Sequence, residues 1–187
     1  MQASPAATTA SSADKTDKAE KTLVNILSSQ LGVRVKVSSG ASKDAKTILD
    51  GSVETCWSSD ALPPGHVDPS SASNWVTFKL GAPISAKALQ SMSLTCAGGF
   101  SPSSVQLLAT FPASEDPKSF TPITQELFPD DTNARQVFPL SLSSLPDPKP
   151  DGDEKDQLLD SLRLRLSGST DDYGRITLYQ VELFAVQ

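Results

Sequence analysis

Residues 47–60 have the sequence TILDGSVETCWSSD, and this stretch decides the fold. Ile48 and Leu49 lead into Asp50-Gly51, a strong turn signal because Gly takes positive φ without steric cost and Asp can bond the backbone ahead of it. Trp57 follows among small and polar residues that cannot cover an indole ring. Distant parts of the chain must therefore bury Trp57. The sequence predicts an Asp-Gly loop with Trp57 as its structural anchor on a β domain.

The composition indicates one folded domain with a tail. The chain has 187 residues, of which 37% are hydrophobic and 20% charged, enough apolar material for a packed core. The formal net charge is −6 and the pI about 4.7. Such a balance is repelled by phosphate backbones and by anionic lipid headgroups, so we expect neither nucleic acid nor a membrane surface as the main partner.

The cysteine content and the N-terminal sequence indicate the cellular compartment in which the protein is expected. Cys56 and Cys96 are the only two cysteines, a content that is ordinary for a reducing compartment. Two free, mostly buried thiols are favoured over one disulfide. The N-terminus has no charged start followed by an apolar run, as a signal peptide would, and no apolar run is long enough for a membrane helix. We expect the nucleus, the cytoplasm or both.

The first 31 residues divide into two parts. Residues 1–18 contain no large apolar side chain beyond the initiating Met1, which predicts a disordered tail before a domain at 19–187. Leu23, Ile26 and Leu27 then recur at helical spacing. This spacing predicts a short helix between Asp17 and Leu31.

From Val33 onward the hydrophobic period changes to two, which is typical of half-buried strands. The predicted strands span residues 33–37, 74–80, 86–96, 103–111, 120–128, 136–142, 162–166 and 175–186. The parity of the apolar positions changes between Leu178 and Val181, which predicts a β-bulge or a strand covered on both faces. Strands do not alternate with helices. The pattern therefore predicts an all-β, eight-stranded antiparallel jelly roll or β-sandwich.

The motifs of catalysis are missing from the sequence. The one histidine, His66, lies in a Pro-rich loop and is expected to be solvated, and no Gly-x-Ser-x-Gly elbow is present. The acidic pairs Asp130-Asp131 and Asp171-Asp172 lie in turns, where solvated carboxylates are expected. A further Pro- and Asp-rich stretch at 145–156 is typical of a solvated insertion. We therefore expect a protein that is not an enzyme.

Several motifs carry a family resemblance. Leu49-Asp50-Gly51 with the following ETCW resembles the N-terminal signature of the galactose-binding-like, or discoidin, β-sandwich. A longer ordered set spans about Val33 to the C-terminus and resembles the nuclear receptor-associated repressor protein family. That set is ETCWSSD at 54–60, WVTF at 75–78, GGFS at 98–101, PDD at 129–131 with QVFP at 136–139, and DYGR at 172–175 with Tyr179.

The resemblance implies a cation site. Many discoidin-like modules hold Ca²⁺ between the Asp-Gly loop and a Glu of the last strand, with hard oxygen ligands. The matching positions are Asp50, the backbone of Ser52, Thr55 and Glu182, so one structural Ca²⁺ is a candidate cofactor. The alternative is that Asp50 and Thr55 simply bond the loop backbone.

The candidate binding surface lies in loops at one end of the sandwich. Phe100 and Tyr173, with Arg175, are the candidates there, and the alternative for both aromatic rings is core or turn packing. The favoured function is a non-enzymatic intracellular protein-interaction module. The resemblance implies a transcriptional co-regulator, a repressor that binds a nuclear receptor-type partner. The alternatives are a carbohydrate-binding module, or a subunit of a larger assembly such as a ciliary transport complex.

Overall fold

The computed structural model describes residues 22–65, 68–114, 116–142, 145 and 157–186. The predicted tail at 1–18, His66, and all of the 145–156 insertion except Leu145 lie outside the described residues. The helical segments of the described part are short 3-10 turns, and none has the length and hydrophobicity that a membrane-spanning helix needs. They are η1 (Ser29–Leu31), η2 (Asp44–Leu49), η3 (Pro69–Ser71) and η4 (Ala86–Ala88).

The described chain folds into two antiparallel five-stranded sheets that enclose the core. The β10 sheet contains β1 (Leu23–Asn25), β3 (Trp57–Ser58), β5 (Leu89–Cys96), β8 (Gln136–Pro139) and β10 (Thr177–Val186). Its order is β1-β10-β5-β8, and β3 pairs with β10. The β9 sheet contains β2 (Arg34–Val37), β4 (Ser73–Ser85), β6 (Ser104–Thr110), β7 (Thr121–Pro122) and β9 (Leu158–Ser167), in the order β2-β4-β9-β6-β7.

The predicted fold class is confirmed, but the structure has ten strands rather than eight. The two added strands are β1 and β3, which have three and two residues and are too short to show a period in the sequence. The predicted boundaries also shift. β4 continues through Gly81 to Ser85, beyond the expected end, with a register shift between Lys79 and Ile84. The predicted strand at 120–128 shrinks to β7 and two isolated bridges, one between Val105 and Leu127 and one between Thr124 and Leu142.

The predicted N-terminal helix is wrong over residues 22–31, where the structure has β1 and η1 instead. Ile26 and Leu27 are buried, whereas Leu23 and Leu31 are exposed, so the helically spaced residues do not share a buried face. Tertiary hydrogen bonds hold the extended form: the Ile26 N–H donates to the Leu183 carbonyl at 2.8 Å. Pairing with the last strand overrides the local helical pattern.

The core is built from the inward residues of both sheets, and β9 shows how. Leu162, Leu164 and Leu166 are fully buried, while Arg163 and Arg165 between them lie on the outer face. The alternation follows from the two-residue period of a strand. The predicted bulge in the last strand is confirmed by a register shift between Leu178 and Gln180.

Trp57 is fully buried, as the sequence predicts. It pairs with Leu178 of β10, and its indole Nε1 donates to the Ser39 carbonyl oxygen at 3.1 Å. The Ser58 backbone leaves no room beside Gly40: a Cβ there would lie 2.1 Å from the Ser58 carbonyl oxygen and 3.1 Å from Trp57 Nε1, and the φ of 76° also favours glycine. The indole therefore joins the segment after β2 to the last strand.

Both cysteines are free thiols, as predicted. Cys96 is buried in β5, and Cys56 is half-buried beside Trp57. Burial raises the pKa of the Cys96 thiol to about 12, because the thiolate is disfavoured in apolar surroundings.

Replacing Trp57 by Ala is expected to lower the free energy of unfolding by about 3–5 kcal/mol, since it deletes a buried ring and leaves a cavity. The matched control is Trp75→Ala. Trp75 is half-buried and stacks on Arg163 at the surface, 4.3 Å from ring centroid to Cζ, so its loss should cost less than half as much. Urea unfolding of both variants measures this. Equal losses would contradict the anchoring role of Trp57.

Candidate functional site

Two loops meet at one end of the sandwich and bring the predicted surface residues together. The β5–β6 loop and the β9–β10 loop are joined at Ser101 and Thr170: the Ser101 N–H donates to Thr170 Oγ1 at 3.0 Å, and the Thr170 N–H donates to the Ser101 carbonyl at 2.9 Å. Phe100 lies on the first loop, and Tyr173 and Arg175 lie on the second. We call these three side chains the loop-end cluster.

Arg175 is the centre of the loop-end cluster. Its Cζ lies 5.1 Å from the ring centroid of Phe100 and 5.8 Å from that of Tyr173, within range of a cation–π attraction to both. Tyr173 is 66% exposed, a large value for an aromatic side chain. Phe100 is half-buried. The cluster therefore presents an exposed ring and a guanidinium whose position is fixed by its neighbours.

The Asp171 carboxylate holds the Arg175 guanidinium in place. It is buried, and its carboxylate accepts from Arg175 Nε at 3.1 Å and from Arg175 Nη2 at 3.3 Å. Asp171 also accepts from the backbone N–H groups of Arg175 and Tyr173. Burial alone would raise the pKa of Asp171, but these hydrogen bonds outweigh it and hold the pKa below its usual value.

A third loop, between β7 and β8, supports the cluster through Asp131. Asp131 Oδ1 accepts from the Gly99 N–H at 2.8 Å and from Thr170 Oγ1 at 3.1 Å. Hydrogen bonds from Ser101 and from Gly99 lower the pKa of Asp131. The expectation of solvated turn carboxylates is therefore wrong for Asp171, which is buried, whereas Asp131 is exposed as expected but also bonds two neighbouring loops. The sequence did not show these hydrogen bonds. The partners of Asp131 lie on other loops, and Arg175, the partner of Asp171, lies four residues further along the chain.

The Asp-Gly loop closes on itself through hydrogen bonds. Asp50 Oδ1 accepts from the Ser52 N–H at 2.8 Å, and Asp50 Oδ2 accepts from Thr55 Oγ1 at 2.7 Å. The structure thus brings together three of the four predicted cation ligands. Asp50 bonds the loop backbone at Ser52, as in the alternative to a cation, whereas Thr55 bonds the side chain of Asp50 and not the backbone.

Glu182, the fourth predicted ligand, is engaged by side chains of β5 and the adjoining loop. Its Oε2 accepts from Ser93 Oγ at 2.5 Å and from Arg135 Nε at 2.7 Å. Gln180 is the side chain of β10 that reaches the Asp-Gly loop: its Nε2 lies 3.9 Å from where a Cβ of Gly51 would be. Among the described residues no group of three or more His, Cys, Asp or Glu is placed to hold a metal ion. The calcium site stays a prediction.

The calcium prediction has a direct test. If Asp50 and Glu182 share an ion, added Ca²⁺ should raise the melting temperature and a chelator should lower it, because binding to the folded state alone stabilises it. Glu182→Gln and Asp50→Asn should abolish the response. Arg135→Gln removes the ion pair of Glu182 and a cation–π contact with Phe184 but no predicted ligand, so this control should keep the response. A melting temperature indifferent to calcium and chelator in all four proteins would mean that hydrogen bonds alone hold the loop.

The lowered pKa values of Asp131 and Asp171 predict acid lability. Both carboxylates are more acidic in the folded state than at the usual value of 3.8, so their stabilisation is complete above that value and is lost as pH falls through the folded pKa. The free energy of unfolding should therefore fall below about pH 4. Asp171→Asn should flatten part of that fall in chemical denaturation, whereas the exposed neighbour Asp172→Asn should not. Identical pH profiles for both variants would contradict the assignment.

Comparison with known proteins supports the sequence resemblance. No family model matches this chain. A protein named nuclear receptor 2C2-associated protein from Xenopus tropicalis is 27% identical over 153 residues, which cover 79% of this chain and 90% of that relative. The protein of the same name from Xenopus laevis is 27% identical over 157 residues, covering 81% and 93%. These two matches, at 27% identity, confirm the predicted resemblance.

Solved structures confirm the fold. The family 32 carbohydrate-binding module of Clostridium perfringens NanJ, in complex with galactose, matches with a TM-score of 0.58 and 12% identity over 87% of this chain and 99% of that chain. Allantoicase from Saccharomyces cerevisiae matches with a TM-score of 0.57 and 11% identity over 87% of this chain and 43% of that chain. At these identities the likeness establishes a galactose-binding-like β-sandwich and carries no ligand or activity with it.

Proposed function

We propose that this chain, a galactose-binding-like sandwich related in sequence to nuclear receptor 2C2-associated proteins, is a non-enzymatic protein-interaction module. The partner we propose is a nuclear receptor-type protein, and the role is that of a transcriptional co-regulator, a repressor, in the nucleus or cytoplasm. Two relatives whose names state such an association support the partner class. The loop-end cluster is the surface that we propose for contact.

The observation that carries this proposal is the pairing of an exposed Tyr173 with a fixed Arg175. Tyr and Arg are enriched among the residues that dominate binding energy at protein interfaces. Because Asp171 and the two rings already position the guanidinium, little side-chain entropy remains to be lost on binding. An acidic or aromatic group of the partner fits the exposed side of this pair.

The residues at the same surface do not favour catalysis. The carboxylates of Asp131 and Asp171 are occupied by loop hydrogen bonds, and their lowered pKa values make them poor proton acceptors near neutral pH. The Cys96 thiol, with its pKa of about 12, is a poor nucleophile. These observations support binding rather than chemistry as the role of this end of the sandwich.

The test is direct binding to recombinant nuclear receptor 2C2. Tyr173→Ala and Arg175→Ala should each weaken binding by more than about tenfold, since such interface residues typically contribute about 2 kcal/mol or more. The control is Val53→Ala, which alters a side chain that is 70% exposed on the Asp-Gly loop. Biolayer interferometry measures the affinities. Binding that survives both cluster variants would reject this surface, and no binding by the unaltered protein would reject the receptor as partner.

A carbohydrate-binding module is the second candidate. The exposed ring of Tyr173 favours it, because a sugar can stack on an aromatic face at the loop end of such a sandwich. A glycan array separates the two candidates. Saturable sugar binding that Tyr173→Ala removes would support the carbohydrate function, and isolation from cells in a stable multi-subunit complex would instead support the assembly-subunit alternative.

A further inference from the structure

The strand β2 forms one edge of the β9 sheet. In the described part of the chain it pairs only with β4, and the Ser38 N–H donates to the Trp75 carbonyl at 3.0 Å. Successive residues of an antiparallel strand alternate between bonding the partner strand and facing away from it. Counting back from Ser38, the backbone groups of Lys36 and Arg34 face β4. Those of Val35 and Val37 therefore face the open edge.

A cleft of about 540 Å³ runs along this open edge. Its apolar lining consists of Val33, Val35 and Leu49, which are half-buried and packed against the core. A smaller cleft of about 290 Å³ shares Val33 and includes Leu31, which is 49% exposed. The open backbone edge therefore lies beside an apolar groove that a second peptide chain can fill.

The rim of the larger cleft is basic. It is formed by Arg34, Lys36 and Lys46, and all three side chains are exposed. None of them forms an ion pair within the described residues, whereas Lys79 next to Arg34 is paired with Asp160. Three basic side chains without an ion-pair partner among the described residues thus surround one groove, although the net charge of the protein is −6.

We propose that the open edge of β2 binds an extended acidic peptide segment of a protein partner, which adds to the β9 sheet as a further strand. The added strand would bond the free backbone groups of Val35 and Val37. Its side chains would alternate: acidic ones beside Arg34 and Lys36 on the outer face, and apolar ones over Val33, Val35 and Leu49 on the inner face. Strand addition of this kind combines backbone affinity with side-chain specificity.

Charge and backbone chemistry select this occupant over others. A phosphate polymer is repelled by the overall negative charge and leaves the apolar lining unfilled. A second copy would set Arg34 and Lys36 against the same cations. The chain's own residues 1–21 carry as many basic as acidic side chains, and its acidic stretch 146–156 contains three prolines, which lack the N–H that a strand donates.

The inference rests on the proposed function in requiring a protein partner, but it uses a surface separate from the loop-end cluster. The probe is a short synthetic peptide in which Glu and Val alternate, titrated into the full chain and followed by fluorescence anisotropy. The comparison peptides are one with Lys in place of every Glu and one N-methylated at alternate residues. We expect only the unmodified acidic peptide to bind well.

The protein variants test the rim. The double variant Arg34→Glu with Lys36→Glu should weaken peptide binding by about tenfold or more, because two cross-strand attractions become repulsions. The double variant Lys87→Glu with Lys118→Glu makes the same change in net charge at exposed sites outside the cleft and should bind normally. If the first variant fails to fold, Lys46→Glu tests the same rim from η2. Tyr173→Ala should not alter binding of this peptide.

Amide hydrogen exchange separates strand addition from simple charge attraction. With the peptide bound, exchange should slow at Val35 and Val37, and change little at Arg34 and Lys36, which already bond to β4. Four results would overturn the proposal: equal binding by both double variants, equal binding of the N-methylated peptide, unchanged exchange at Val35 and Val37, or a single-stranded oligonucleotide that competes fully with the peptide. Loss of binding in Tyr173→Ala would instead assign the peptide to the loop-end cluster.

Discussion

The burial of Trp57 is the constraint on which the rest of the sandwich depends. Trp57 joins three segments that are far apart in sequence, because its indole bonds the turn after β2 and its backbone, in β3, pairs with the start of β10. Ser58 and Thr177, whose hydroxyl groups lie 2.7 Å apart, are 119 residues apart along the chain. Because such contacts close long loops, forming them carries an entropy cost that the rest of the core must offset.

The sandwich carries two proposed binding surfaces, the loop-end cluster and the open edge of β2, and they differ in how their cations are paired. At the loop end, the Asp171 carboxylate pairs with the Arg175 guanidinium, so the surface presented there is an aromatic ring beside a paired cation. At the β2 edge, the two-residue period places cations outward and valines inward, and no carboxylate of the described residues neutralises those cations. The first surface suits a compact, preformed partner. The second suits a segment that becomes ordered on binding.

The strands that carry a clear alternation, such as β4 and β9, were predictable, because each buries one side of its pleat. The strands β1 and β3 were not, since they are held by pairing with β10 and not by any local pattern. Phe100, Tyr173 and Arg175 were predicted to share a surface and lie together. Glu182, the predicted cation ligand on β10, bonds Ser93 and Arg135, and no local pattern in the sequence shows these two contacts. The register shift between Leu178 and Gln180 agrees with the parity change in the sequence, whereas the approach of Gln180 to Gly51 depends on how the Asp-Gly loop packs on β10.

The two cysteines differ in burial, and this difference decides which of them reacts with thiol reagents. A thiol with a pKa of about 12 has almost no thiolate at neutral pH, so alkylating reagents and mild oxidants should pass Cys96 by. Cys56 is half-buried next to the indole that holds the Asp-Gly loop. A dye or spin label introduced by thiol chemistry should therefore attach to one place in the native protein. A label on Cys56 would therefore report opening of the Asp-Gly loop without an engineered cysteine.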